Sequence, residues 1–122
     1  MTIIEAINGI DTLKPNKYTQ EQKIEWLKRI DGLLKEQVID THEGGEGVVI
    51  EDYASAPMDT ELLVPAPYDE IYINYLAMKI DYANGEYKKY NNSAFIYNES
   101  LGEYRKWYNR THMPKGSPKL IY

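Results

Sequence analysis

Apolar positions recur along most of the chain at helical spacing, and they predict four helices. Ile3, Ile7 and Ile10 stand four and three residues apart, with Ile4 beside them, so Thr2–Leu13 reads as a short helix. Thr2 and Glu5 have the spacing of a capping box, and Pro15 stops the run because the residue before a proline is pushed out of the α region. A second helix starts at Thr19, where Thr19 and Gln22 repeat that spacing, and runs to about Asp40. Ile24, Leu27, Ile30, Leu34 and Val38 form its stripe, widened by Trp26 and Leu33. A third helix spans about Tyr68–Tyr90. At ~100° per residue its apolar side chains, among them Ile71, Tyr72, Tyr75, Leu76, Met78, Ile80, Tyr82 and Tyr87, cover an arc of roughly 200°. Asn84-Gly85 is a point at which this helix kinks or ends early. Asn91, Asn92 and Ser93 offer N-caps for a fourth helix to about His112, with Ala94, Tyr97, Leu101, Tyr104 and Tyr108 in a heptad-like seam and Pro114 beyond it.

Between the second and third helices the periodicity changes. Glu43-Gly44-Gly45-Glu46-Gly47 is an acidic Gly loop, and Val48-Val49-Ile50 is a short β-type run that Glu61–Val64 can pair with as a hairpin. Pro65 and Pro67 then lead into the third helix, where Asp69 and Glu70 suit the positive dipole end. The expected fold class is mainly α: a bundle of about four helices with a short β-hairpin or extended insertion around residues 48–64. Residues 1–114 form a single helical domain and 115–122 a flexible C-terminal tail. No repeat, low-complexity tract or second domain is visible. At 122 residues the chain has room for one modest core.

Composition changes this picture in three places. No apolar run approaches the ~18 residues of a membrane span, and no basic stretch precedes an apolar one at the N-terminus, so neither a span nor a signal peptide is expected. Zero Cys excludes disulfides, thiolate metal sites and cysteine catalysis. Twelve Tyr and two Trp against one Phe favour wet protein–protein contacts, since tyrosine joins an apolar ring to a polar tip.

Charge is divided along the chain. All nineteen Asp and Glu precede Tyr104, where nine Lys and Arg leave that part at −10; Arg105, Lys106, Arg110, Lys115 and Lys119 then stand without an acid. A basic helix end suits the helix dipole, and it also suits an acidic face of a neighbour. The third helix carries more apolar arc than the stripe of about 100° that one small core needs. That excess points to a second contact surface, against another subunit.

Groups able to do chemistry are sparse. Asp40, His42 and Glu43 match no metal-ligand spacing, and both His42 and His112 suit helix ends. The Gly loop lacks a following Lys-Ser/Thr and carries acids where phosphates would sit. Ser55, Ser93, Ser100 and Ser117 have no nucleophile context. No enzyme activity, catalytic residue, metal or cofactor is expected. Tyr104-Arg105-Lys106-Trp107-Tyr108-Asn109-Arg110 interleaves cations with rings, as a nucleic-acid stacking platform does. On a helix, however, Tyr104 and Tyr108 fall on the seam while Arg105 and Lys106 point elsewhere.

Three segments taken in order carry a resemblance. The first is TLKPN with a following helix that holds Trp26 and Ile30-Asp31. The second is LLVPAPYDEIYINYLAMKIDYANGEYKKYNNSAFIYNE, and the third is an aromatic helix ending in Arg110 and Pro114. Together the chain resembles the small head–tail connector (adaptor) proteins of tailed bacteriophages and prophages of Gram-positive bacteria. The most specific part is Leu62–Asn98, with its Pro65-x-Pro67-Tyr68-Asp69 run and its Tyr90-Asn91-Asn92 hinge.

The resemblance implies a virion structural protein, present in the host cytoplasm during assembly. Its copies form a homo-oligomeric ring between the portal and the neck or tail completion proteins, and DNA passes through the lumen. It implies no active site. The residues expected to make subunit or portal contacts are Tyr72, Tyr75, Tyr82, Tyr87, Trp107, Arg110, Leu120, Ile121 and Tyr122. The alternative from another class is a small helical DNA-binding regulator or packaging factor that uses the basic C-terminal helix.

Overall fold

In a computed structural model, which describes residues 1–116, the chain is a four-helix assembly: α1 (Ile3–Leu13), α2 (Gln20–Gln37), α3 (Ile71–Ala83) and α4 (Tyr87–Thr111). Both predicted N-terminal caps are present. Thr2 Oγ1 accepts the Glu5 N–H at 3.2 Å while Glu5 Oε1 accepts the Thr2 N–H at 2.9 Å, and Thr19 Oγ1 accepts the Gln22 N–H at 3.1 Å. Past α2 a single 3₁₀ turn, Ile39–Thr41, takes the chain to His42.

The third predicted helix is shorter than its apolar pattern suggested. It ends at Ala83 in a Schellman motif: the Gly85 N–H donates to Tyr82 O and the Glu86 N–H to Asp81 O, each at 3.0 Å. Gly85 supplies the required positive φ of 72°. The chain reverses there, and α4 begins at Tyr87, earlier than the Asn91–Ser93 caps foretold. Those three residues lie inside α4, where Ser93 Oγ donates to Asp81 Oδ2 instead of capping.

α3 is the central rod of the bundle. It packs most closely on α4, its antiparallel partner across the turn, and also on α1 and α2. Its wide apolar arc is therefore covered largely within the subunit, with Ile71, Tyr72, Tyr75, Leu76 and Ile80 all buried. They share one core with Ile3, Ile7 and Ile10 of α1, Leu27, Ile30 and Leu34 of α2, and Tyr104 and Tyr108 of α4.

The 48–64 insertion is an irregular segment with turns at 53–55 and 58–59 rather than a hairpin. Among the described residues no sheet is present, and Glu61 makes its isolated antiparallel bridge with Thr2 rather than with the Val48–Ile50 run. Leu62 donates its N–H to Met1 O at 2.9 Å, and Ile3 donates to Thr60 O at 3.0 Å. The partner of 60–62 is thus the start of α1. The insertion is pinned to the core through Asp31, which accepts the Tyr53 hydroxyl, the Tyr72 hydroxyl and the Leu63 N–H.

Candidate assembly surface

Tyr72 and Tyr75, expected at a subunit contact, are core residues. Tyr72 is fully buried, with its hydroxyl donating to Asp31 and accepting from Val64 N–H at 2.7 Å. Tyr75 packs its ring 5.3 Å from that of Tyr97, and burial pushes its hydroxyl above the usual tyrosine range. Neither presents a face to a neighbour. The physical reason is position: both lie on the stretch of α3 that other helices enclose.

Tyr82 and Tyr87 flank the α3–α4 turn and are 58% and 64% exposed. Their ring centroids lie 6.3 Å apart, and Tyr90 joins them 5.4 Å from Tyr82. Trp107 is half-buried, tilted against Tyr68 at 5.3 Å and stacked on Tyr104 at 6.0 Å, so most of its ring serves the subunit's own aromatic cluster. Arg110 is exposed in the last turn of α4. Leu120, Ile121 and Tyr122 lie outside the described residues.

Four apolar residues to which the sequence reading gave no role are also exposed: Leu13, Phe95, Ile96 and Met113. Leu13 and Ile96 line one cleft of about 240 Å³ with Asn74, Ala77 and Ser93. Phe95 and Ile96 stand off the α4 seam, and that mismatch with a one-sided helix was a readable signal. Asp81 gathers this end of the bundle. Buried at the close of α3, it accepts the Lys14 ammonium at 2.6 Å and the Ser93 hydroxyl, so the ends of α1, α3 and α4 meet at one carboxylate.

The basic end is partly used within the subunit. Arg105 donates to Gln37 at 3.1 Å, Lys106 pairs with Glu103 at 3.7 Å, and Lys115 pairs with Glu46 at 3.3 Å. Lys79 lies 6.0 Å over the Tyr75 ring, its ammonium pushed below the usual lysine range by burial and then by nearby Arg29.

Asp40, His42 and Glu43 do not converge. Asp40 pairs with Lys35, while buried His42 sets Nδ1 2.6 Å from Val38 O and Nε2 2.8 Å from the Asn109 side chain. The His112 ring stacks on Tyr108 at 3.8 Å, and His42 meets the same Tyr108 edge-on at 4.7 Å. The histidines thus clamp the end of α4 to the turn after α2. Among the described residues no group of three or more His, Asp or Glu is placed to hold a metal ion, and no helix is long and apolar enough to cross a membrane.

No family model matches the sequence, and neither a curated protein nor a solved structure matches it.

Proposed function

We propose that this protein is a head–tail connector subunit of a tailed phage or prophage, assembling with its own copies into a ring between portal and tail components. One observation carries the reading. The α3–α4 turn end of a well-packed helical subunit leaves Tyr82 and Tyr87 exposed, with Leu13, Phe95 and Ile96 on the helices that meet at Asp81. Large apolar side chains gathered in this way mark surfaces that another protein covers. The resemblance in Leu62–Asn98 adds to it, because that stretch builds α3, the turn and the first half of α4.

The chemistry suits unlike surfaces meeting head to tail. One end presents tyrosines and phenylalanine, and the stretch between α2 and α3 presents Glu43, Glu51 and Asp52, all exposed. Contacts between different patches of identical subunits close into a ring where the rotation permits. DNA is then a passing occupant of the lumen rather than a ligand, and the host cytoplasm is where assembly happens.

The test is co-expression with the portal protein of the same phage or prophage, followed by native mass spectrometry and negative-stain microscopy. Rings on the portal are expected, and they should be lost in a Tyr82→Ser/Tyr87→Ser/Phe95→Ser variant that still folds. A subunit that ignores the portal but shifts duplex DNA in a salt-sensitive way through Arg105, Lys106 and Arg110 would be a regulator instead.

A further inference from the structure

We propose that Arg29 of α2 and Lys79 of α3 form a binding site for an oxyanion of the phosphate type, with Arg105 of α4 at its far end. Helical spacing sets the frame. Arg29, Leu33 and Gln37 recur every four residues and so share one flank of α2, while Tyr75 and Lys79 stand one turn apart on α3. The Arg105 guanidinium donates to the Gln37 side chain at 3.1 Å, which brings α4 up to that same flank. On α3 the Lys79 ammonium lies 6.0 Å over the Tyr75 ring, and the Tyr97 ring of α4 meets Tyr75 edge-on at 5.3 Å. Cations from three helices thus border two packed tyrosines.

These cations have no counter-charge within the subunit. Every Asp and Glu of the chain lies at or before Glu103, within the described residues, and none pairs with Arg29, Lys79 or Arg105. Glu25 and Glu36 stand with Arg29 on the outer face of α2 and bound the site there. Lys79 is half-buried, and burial together with the Arg29 charge holds its ammonium below the usual lysine range. The Arg29 charge also reaches the buried Tyr75 hydroxyl, where it opposes the rise that burial causes. Like charges held together beside a half-buried surface cost stability, and an anion seated between them reverses that cost. The groups name its chemistry. A guanidinium offers paired planar donors that fit phosphate oxygens, and an ammonium adds a point charge. Two cations at one place match a doubly charged phosphate better than a singly charged carboxylate. Lys28 and Lys35, on the flank of α2 that faces the insertion, are already paired with Asp52 and Asp40. The inference goes beyond the connector reading and holds without it.

The test titrates pyrophosphate into the full-length protein at fixed ionic strength and follows the Tyr75 and Tyr97 ring signals by NMR. Saturable binding is expected, weakened about tenfold in Lys79→Met and in Arg29→Gln and unchanged in Lys28→Gln/Lys35→Gln. Both site variants should melt no lower than the parent, since each removes one of two like charges. A short single-stranded oligonucleotide identifies the source of the phosphate. Tighter binding of the oligonucleotide through the same residues would assign it to a nucleic-acid backbone, and tighter binding of pyrophosphate to a free ligand. Absence of saturation, or an equal loss in the Lys28→Gln/Lys35→Gln control, would overturn the site. A glutamate-rich peptide that binds more tightly than pyrophosphate would overturn the phosphate assignment.

Discussion

The Tyr72 hydroxyl donates to Asp31 Oδ1 at 2.6 Å from across the core, and in the same position it accepts the Val64 N–H. Among the described residues Asp31 has no ion-pair partner, and it is fully buried, so its charge is carried by three donors: Tyr72, Tyr53 and the Leu63 N–H. Burial pushes its carboxyl above the usual aspartate range, against the pull of those hydrogen bonds. One carboxylate thereby joins α2, α3 and the 48–64 insertion.

Tyr72→Phe should therefore destabilise the fold by about 1–3 kcal/mol, because the Val64 N–H loses its acceptor and Asp31 loses a donor. Asp31→Asn should cost at least as much, since its amide NH2 would face a donor at one of the two oxygen positions. Urea denaturation measures both, with exposed Tyr82→Phe as the control. Equal stability of Tyr72→Phe and the control would refute the role given to this pair.

The same burial predicts a particular alkaline limit. Tyr53, Tyr72 and Tyr104 are pushed well above the ordinary value of 10.0, and Tyr97 is pushed up to about 12, each chiefly by burial. A folded state that holds these hydroxyls protonated while the unfolded chain ionises loses stability as pH rises. Their contribution is complete below pH 10 and falls away through the raised values. Phenolate absorbance should show these buried tyrosines ionising only in a cooperative step that coincides with loss of helical signal. Smooth titration of all twelve tyrosines with helix retained would contradict it.

Gly45 and Gly47 should respond differently to alanine. A Cβ at Gly45 would come within 2.2 Å of Ile39 O, a backbone atom that cannot swing aside, whereas one at Gly47 meets nothing within 4 Å. Gly45→Ala should lower stability by about 1–3 kcal/mol and Gly47→Ala by under about 0.5. Thermal melts of the two single variants decide it.

On the exposed end, Tyr82→Ser and Tyr87→Ser should leave the melting temperature of the isolated subunit within about 2 °C of the parent. Their effect belongs in assembly, read as loss of rings on the portal. A large fall in subunit stability would show that these rings serve the monomer instead.

Much of the helical plan was legible because it is local. Ile3–Ile7–Ile10 and Ile24–Leu27–Ile30–Leu34 each make one stripe, and Thr2 and Thr19 cap the helices that bear them. Gly85 marked the end of α3 because a positive φ there suits glycine. The hairpin was less legible: Val48–Ile50 has the composition of a strand, but composition does not say which backbone lies beside it, and Thr2 took Glu61 instead.

What the sequence by itself determined about this protein is where its helices run, since capping spacing and 3.6-residue periodicity act between residues a few positions apart. What only the tertiary structure decided is which side of α3 stays open. The apolar arc on that helix is the same whether another subunit or its own neighbours cover it. Three packed helices buried Tyr72 and Tyr75, and the turn at Gly85 left Tyr82 and Tyr87 in solvent. Burial depends on contacts between segments far apart in the chain, and periodicity carries no record of them.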